Sequence, residues 1–178
     1  MKTTTIHELW EYVKMIIFVV AFVLILNNFI IINAKIPSES MENTIMKGDQ
    51  LFGNRLAYKF SDPERYDIII FKFPDDESQL FIKRIIGLPG ETVKIVDGKV
   101  YINDREIPLD DSFLPEPMVT DSKVKEYTVP EGCYFVLGDN RNYSKDSRYW
   151  KNTFVSKDKI LGKAALRYYP LTKIGFIR

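Results

Sequence analysis

The sequence predicts a mainly β fold: a β-sheet or β-barrel domain carried on one N-terminal transmembrane helix, with a small inserted flap. Three observations carry this. The chain holds one long apolar run, residues 15–34. Beyond it come short runs rich in Ile, Phe and Tyr, cut at strand lengths by Gly and Pro. No stretch after the apolar run shows helical periodicity of useful length.

Residues 1–14 are polar and mixed in charge, and Trp10 and Tyr12 suit a helical lead-in at headgroup level. Residues 15–34 contain no charge, and 20 residues are about what a hydrocarbon core of roughly 30 Å requires. Asn27, Asn28 and Asn33 dilute the second half. The alternative is a cleaved secretory signal, but cleavage after Ala34 would put Ile32 where a small residue is wanted. An uncleaved anchor fits better. Lys2 and Lys14 precede the span and Lys35 and Lys47 follow it, so charge counting sets no orientation. Residues 35–178 form the β-rich domain. LFGNRLAYKF, YDIIIFKF and QLFIKRIIG read as strands. VKIVDGKVYIN reads as a hairpin about Asp97-Gly98. Residues 103–125, with Pro108, Pro115 and Pro117, read as a surface flap or insert. Residues 133–137 and 160–169 close the domain as buried strands.

The formal charge of +1 argues against a nucleic-acid partner, which would call for a basic stripe. The single cysteine, Cys133, excludes an intrachain disulfide. The single histidine, His7, precedes the apolar run. With that run across a membrane, no histidine-based triad and no histidine-ligated metal site is available downstream. No cofactor is called for. A serine nucleophile in this domain needs another base, and lysine is the recognised substitute.

Ser40, in IPSESMENT (residues 36–44), stands just past the exit of the span, with Ser38 two residues before it. In QLFIKRIIG, strand alternation puts Phe81, Lys83 and Ile85 on one face and Ile82, Arg84 and Ile86 on the other. An amine flanked by large apolar groups loses its proton more easily, and fully buried lysines reach pKa values of about 5–6. The pattern by itself favours a different reading, an edge lysine that reaches out to water. GDNRNYSKDSR (residues 138–148) is a tightly hydrogen-bonded loop. It is either a turn satisfying its own backbone or a support in which Ser144 orients a lysine amine while Asp146 pairs with Arg148 or Arg141. Ser122 and Ser156 each begin an S-x-x-K pattern, but both lie in charged segments without companion motifs. Cys133, in an apolar strand without a histidine, reads as core.

IPSESMENT, KGDQ, FIKRIIGLPGE, GDNRNYSKDSR and the ending ILGKAALRYYPLTKIGFI, in this order, resemble the successive boxes of the bacterial type I signal peptidases. The resemblance covers nearly the whole chain apart from the flap. It implies a signal-peptidase-like, mostly β catalytic domain outside the cytoplasmic membrane, with the N-terminus inside. It also implies a serine–lysine dyad with Ser40 as nucleophile and Lys83 as general base. Ser144 would hydrogen-bond that lysine. The Ser38 hydroxyl and the Ser40 backbone N–H would form the oxyanion hole. Asp146, Arg148, Asp139 and Arg141 would support the loop. Substrates would be signal-peptide-bearing pre-proteins met at the lipid bilayer, with small side chains before the cut in shallow pockets lined by Ile36, Ile82 and Ile86. One position departs from the pattern: the family usually reads S-M-x-P-T, and here Asn43 replaces the proline. That removes a fixed φ without removing a catalytic atom.

Two other readings compete. One is an anchored β-domain, catalytically weak or specialised, that binds or processes a narrow set of surface or pilus proteins. The other is a self-cleaving repressor, disfavoured by the span and the lack of a DNA-binding module.

Overall fold

The computed structural model describes residues 2–120 and 123–177. Helix α1 (Lys2–Ile25) runs into one π-helical turn, Leu26–Ile30, and the chain then becomes strand β1 (Ile31–Lys35). The span expected over residues 15–34 is corrected at its end, because the apolar helix covers His7–Ile30 with a mean hydropathy of 2.4 and residues 31–34 belong to the sheet. The asparagines explain the change. Asn28 Nδ2 donates to the Leu24 carbonyl at 2.9 Å, drawing off an acceptor of the helical ladder where the helix widens and stops. Met15, Ile16, Phe18, Phe22 and Leu24 are all more than half exposed on the helix. This bare apolar cylinder has no partner in the described chain, and its 24 residues span about 36 Å, enough for a hydrocarbon core.

The remaining strands are β2 (Gln50–Asn54), β3 (Ile68–Phe73), β4 (Asp76–Gly87), β5 (Thr92–Val96), β6 (Lys99–Ile102), β7 (Lys125–Thr128), β8 (Cys133–Leu137), β9 (Val155–Ser156), β10 (Ile160–Tyr169) and β11 (Gly175–Phe176). The larger sheet runs β1-β2-β10-β3-β4-β8-β9, with β11 on β10, and the smaller runs β6-β5-β7. All their pairings are antiparallel. The mainly β expectation holds, as does the Asp97-Gly98 hairpin. Both of its turn residues take positive φ, 47° and 77°, as a two-residue hairpin of this kind demands. The run LFGNRLAYKF is strand only to Asn54, and a turn follows where Asn54 Oδ1 accepts from the Leu56 N–H.

Three apolar clusters form the core. One, under the small sheet, contains Ile86, Val93, Ile95, Val100, Ile102, Met118, Phe135 and Leu137. The second, beneath β3, β4 and β8, contains Phe71, Phe73, Ile85, Val136 and Trp150. The third gathers Ile36, Met41, Ile45, Leu51 and Ile68 around the turn that carries Ser40. The segment between β6 and β7, read above as a surface flap or insert over residues 103–125, is pinned to the core at two points. Met118 is 5% exposed in the first cluster and Leu109 packs on it. Lys125 already belongs to β7. Cys133 packs at the edge of the same cluster, as a core cysteine should.

Candidate active site

Ser40 sits in a turn, residues 40–44, braced from below by buried Met41 and Ile45. Lys83 projects from β4, where it is paired with Ile69 of β3. The fold brings these residues, 43 apart in sequence, together: Lys83 Nζ lies 2.6 Å from Ser40 Oγ. Its other contact is the Ile82 carbonyl at 3.1 Å. Ser38 Oγ is 3.3 Å from Ser40 Oγ, on the cleft side.

Strand alternation works as the sequence indicates. Phe81 and Ile85 join the aromatic cluster on one face, while Ile82 packs on the third cluster on the other. Phe81 stacks on Phe73 with ring centroids 4.4 Å apart, and Trp150 closes against both. Lys83 Nζ lies 5.5 Å from the Phe81 ring centroid. Lys83 is 4% exposed, so it does not snorkel. Burial pulls its pKa down from 10.5 to about 8, against the opposing pull of Asp146 and Asp139.

The loop after β8 closes the site from the other side. Gly138 is required by close approach, because a Cβ there would lie 2.4 Å from the Ser40 carbonyl oxygen and 2.2 Å from Ser144 Oγ. The Asn140 N–H donates to that same Ser40 carbonyl at 3.1 Å. Asp146 is fully buried, accepts from the Gly138 N–H at 3.0 Å, and pairs with Arg148 at 2.8 Å. Arg141 pairs instead with Asp111 of the 103–124 segment, and its Nε donates to the Gly138 carbonyl. Asp139 receives a two-pronged ion pair from Arg84, at 2.8 and 2.7 Å, and also accepts from the Thr44 hydroxyl.

Three expectations are corrected. The Ser144 hydroxyl does not hydrogen-bond the lysine: it is buried without a protein hydrogen-bond partner. The close polar contacts of the amine are Ser40 Oγ and the Ile82 carbonyl. Ile86 does not line the cleft. It is fully buried in the first core cluster, beyond the point where β8 joins β4 at Arg84. Ile36, 3% exposed, lies beneath Ile82 rather than facing the cleft. Ile82 does line it, with Pro37, Ser38, Leu80, Phe81 and the unpredicted Tyr143 and Lys145, around a cavity of about 280 Å³. Larger cavities of about 450 and 460 Å³ open near the 98–125 side and contain neither Ser40 nor Lys83. Of the S-x-x-K decoys, Ser122 lies outside the described residues. Ser156 donates to Asp158, and Lys159 is paired with Glu77.

Arg84, Thr44, Asp111 and Phe113 were missed as supports. Arg84 left a signal, because a charge set between Ile82 and Ile86 on a strand must find a buried acid.

A serine hydroxyl held against a buried, weakly basic lysine beneath an antiparallel sheet defines a serine peptidase of the serine–lysine class. The chain belongs to the signal peptidase, peptidase S26 family, which matches residues 9–169. It is 41% identical over 148 residues to a probable signal peptidase I-2 of Synechocystis sp., covering 80% of this chain and 65% of that one. It is 37% identical to a signal peptidase I of Leptolyngbya laminosa, covering 94% of this chain and 83% of that one. A crystal structure of a signal peptidase I from Enterococcus faecalis V583 aligns with a TM-score of 0.50 and 38% identity. That alignment covers 59% of this chain and 98% of that structure.

Proposed function

We infer that this protein is a signal peptidase I that removes signal peptides from exported pre-proteins by acyl transfer through Ser40 and Lys83. The observation that carries the residue assignment is the 2.6 Å contact between Ser40 Oγ and an amine whose pKa is lowered to about 8. As Ser40 Oγ attacks the scissile carbonyl carbon, neutral Lys83 takes its proton. The oxyanion is held by the Ser38 hydroxyl and the Ser40 backbone N–H, at about 3–4 kcal/mol per donor. Lys83 then gives its proton to the departing nitrogen and the C–N bond breaks, leaving an ester on Ser40. A water surrenders a proton to Lys83 and attacks that ester, and Ser40 leaves with the proton.

Substrate binding follows from the sheet edge. Leu80–Lys83 is paired with β3 on one side, while β8 joins the other edge only from Arg84 onward. That leaves an open edge beside the cleft, where an extended segment adds as a strand. Small residues before the cut fit against Ile82 and Leu80. The apolar helix anchors the protein in the cytoplasmic membrane, with the N-terminus inside and the β domain outside, so the site meets substrates that share the bilayer.

The test is cleavage of one secreted precursor by the full-length protein, with Ser40→Ala as control. Loss of about 10⁴-fold or more is expected on removing the nucleophile. Full processing by the variant would sink the assignment.

A further inference from the structure

The most unexpected feature near the site lies on the turn after the nucleophile. Asn43, where relatives of this pattern carry proline, has φ of +79°. Proline is locked near −65°, so it cannot adopt this backbone. Asparagine is among the few side chains that tolerate the left-handed region. Asn43 also does more than tolerate it, since its Nδ2 donates to the Phe113 carbonyl at 2.8 Å, across 70 residues of sequence.

Phe113 is itself fixed from several sides. Its ring faces the Arg84 guanidinium at 4.3 Å and that of Arg141 at 5.9 Å, and Tyr66 packs edge-on at 6.0 Å. Both arginines lead back to the nucleophile. Arg84 holds Asp139, which accepts from Thr44 of the serine turn. Arg141 holds the Gly138 carbonyl, at the glycine that lies against the Ser40 carbonyl. It also pairs with Asp111, two residues before Phe113. One aromatic residue thus meets the serine turn directly through its backbone and indirectly through two arginines.

We propose that Asn43 and Phe113 are positioning residues for Ser40: the segment before β7 clamps the nucleophile turn, and Asn43 holds that turn in a conformation closed to proline. The proposal rests on the reading of Ser40 as nucleophile. It gives the inserted segment a role in catalysis rather than in packing alone. It also reverses the simplest expectation from the family pattern, that restoring proline would stiffen and improve the turn.

The experiment uses the full chain in detergent micelles, with Asn43→Gly, Asn43→Pro, Phe113→Ala and the Asn43→Gly/Phe113→Ala double variant. Three quantities are read: kcat and KM on a precursor, the acylation rate of Ser40 by a serine-reactive probe, and Tm. Asn43→Gly keeps the positive φ and loses the bond. Its kcat and acylation rate fall about 3- to 10-fold with KM little changed, the size of one hydrogen bond expressed through orientation. Phe113→Ala behaves likewise, and the double variant falls less than the product of the two, because both act on one coupled element. Asn43→Pro loses about 100-fold or more, since the turn must rearrange.

Wild-type acylation by Asn43→Pro would overturn the proposal. So would full multiplication of the two single effects, or a lowered Tm with unchanged rates. Should Asn43→Pro fail to fold, the glycine and alanine variants decide. A wild-type protein that acylates at Ser40 but leaves precursors uncut would defeat the substrate reading and not this one.

Discussion

Lys83 and Arg84 are neighbours on one strand, both cationic by type and both 4% exposed, and the fold treats them in opposite ways. Arg84 points to the face where Asp139 waits, and two charge-assisted bonds keep its charge matched. Lys83 points to the aromatic face and receives a hydroxyl and a carbonyl instead of a carboxylate. An arginine cannot shed its proton, so its burial demands a partner. A lysine can, so the absence of an adjacent carboxylate becomes a means of making a base. One residue of strand register separates structural charge from catalytic neutrality.

The sharpest way to break this contrast is Lys83→Arg. It preserves the cation and removes the capacity to deprotonate. Precursor cleavage should fall about 10³-fold or more, as on removal of a catalytic base. Appreciable activity would show that charge, not base strength, matters there.

On the other face, Asp139→Ala strands the Arg84 guanidinium. Urea unfolding should reveal a loss of about 3–5 kcal/mol, the cost of a buried charge left without its partner. A loss under about 1 kcal/mol would mean that water reaches Arg84.

The pH profile tests the contrast without mutation. With Lys83 at about 8, the rate should climb about tenfold per pH unit below that value and level off above it. A profile flat from pH 6 to 9 would remove Lys83 as the titrating base.

Stability should follow the same shift. Between the folded value of about 8 and the ordinary 10.5, the unfolded chain binds more protons, so Lys83 weakens the fold below 8 and this penalty fades as pH rises to 10.5. Lys83→Met should therefore stabilise at pH 7, by on the order of 2 kcal/mol, with the gain vanishing near pH 10.5. A gain independent of pH would point to packing alone.

The smallest effect is expected for Ser144→Ala. Its hydroxyl is buried without a protein hydrogen-bond partner, so removing it should leave stability within about 1 kcal/mol. A larger loss would identify a partner for the hydroxyl.

Much of this was readable from residues alone. Asp97-Gly98 carries its own turn chemistry, and Phe81, Lys83 and Ile85 announce their shared face by alternation. Those signals are local, and local physics decides them. The end of the span was misjudged because hydropathy does not distinguish a helical Ile31 from one paired with Asn54 across a sheet. Ile86 was misplaced because two-residue periodicity gives the face but not which of three clusters lies beneath it. The bond between Asn43 and Phe113, and the pairing of Asp139 with Arg84 and of Asp111 with Arg141, depend on long-range closure, whereas Asp146 and Arg148 are neighbours in the loop. No spacing in the sequence encodes the long-range pairs.

The direct passage of α1 through its π turn into β1 has a mechanical consequence. Five residues of paired strand and a short bend lie between Ile30 and Ser40, with β1 hydrogen-bonded along β2 from Ile31 to Lys35. This is a strut rather than a tether. Were the helix embedded in a bilayer, the strut would hold the hydroxyl within roughly 30 Å of the helix end. A precursor would be accepted for the stand-off of its scissile bond from the bilayer as well as for its side chains.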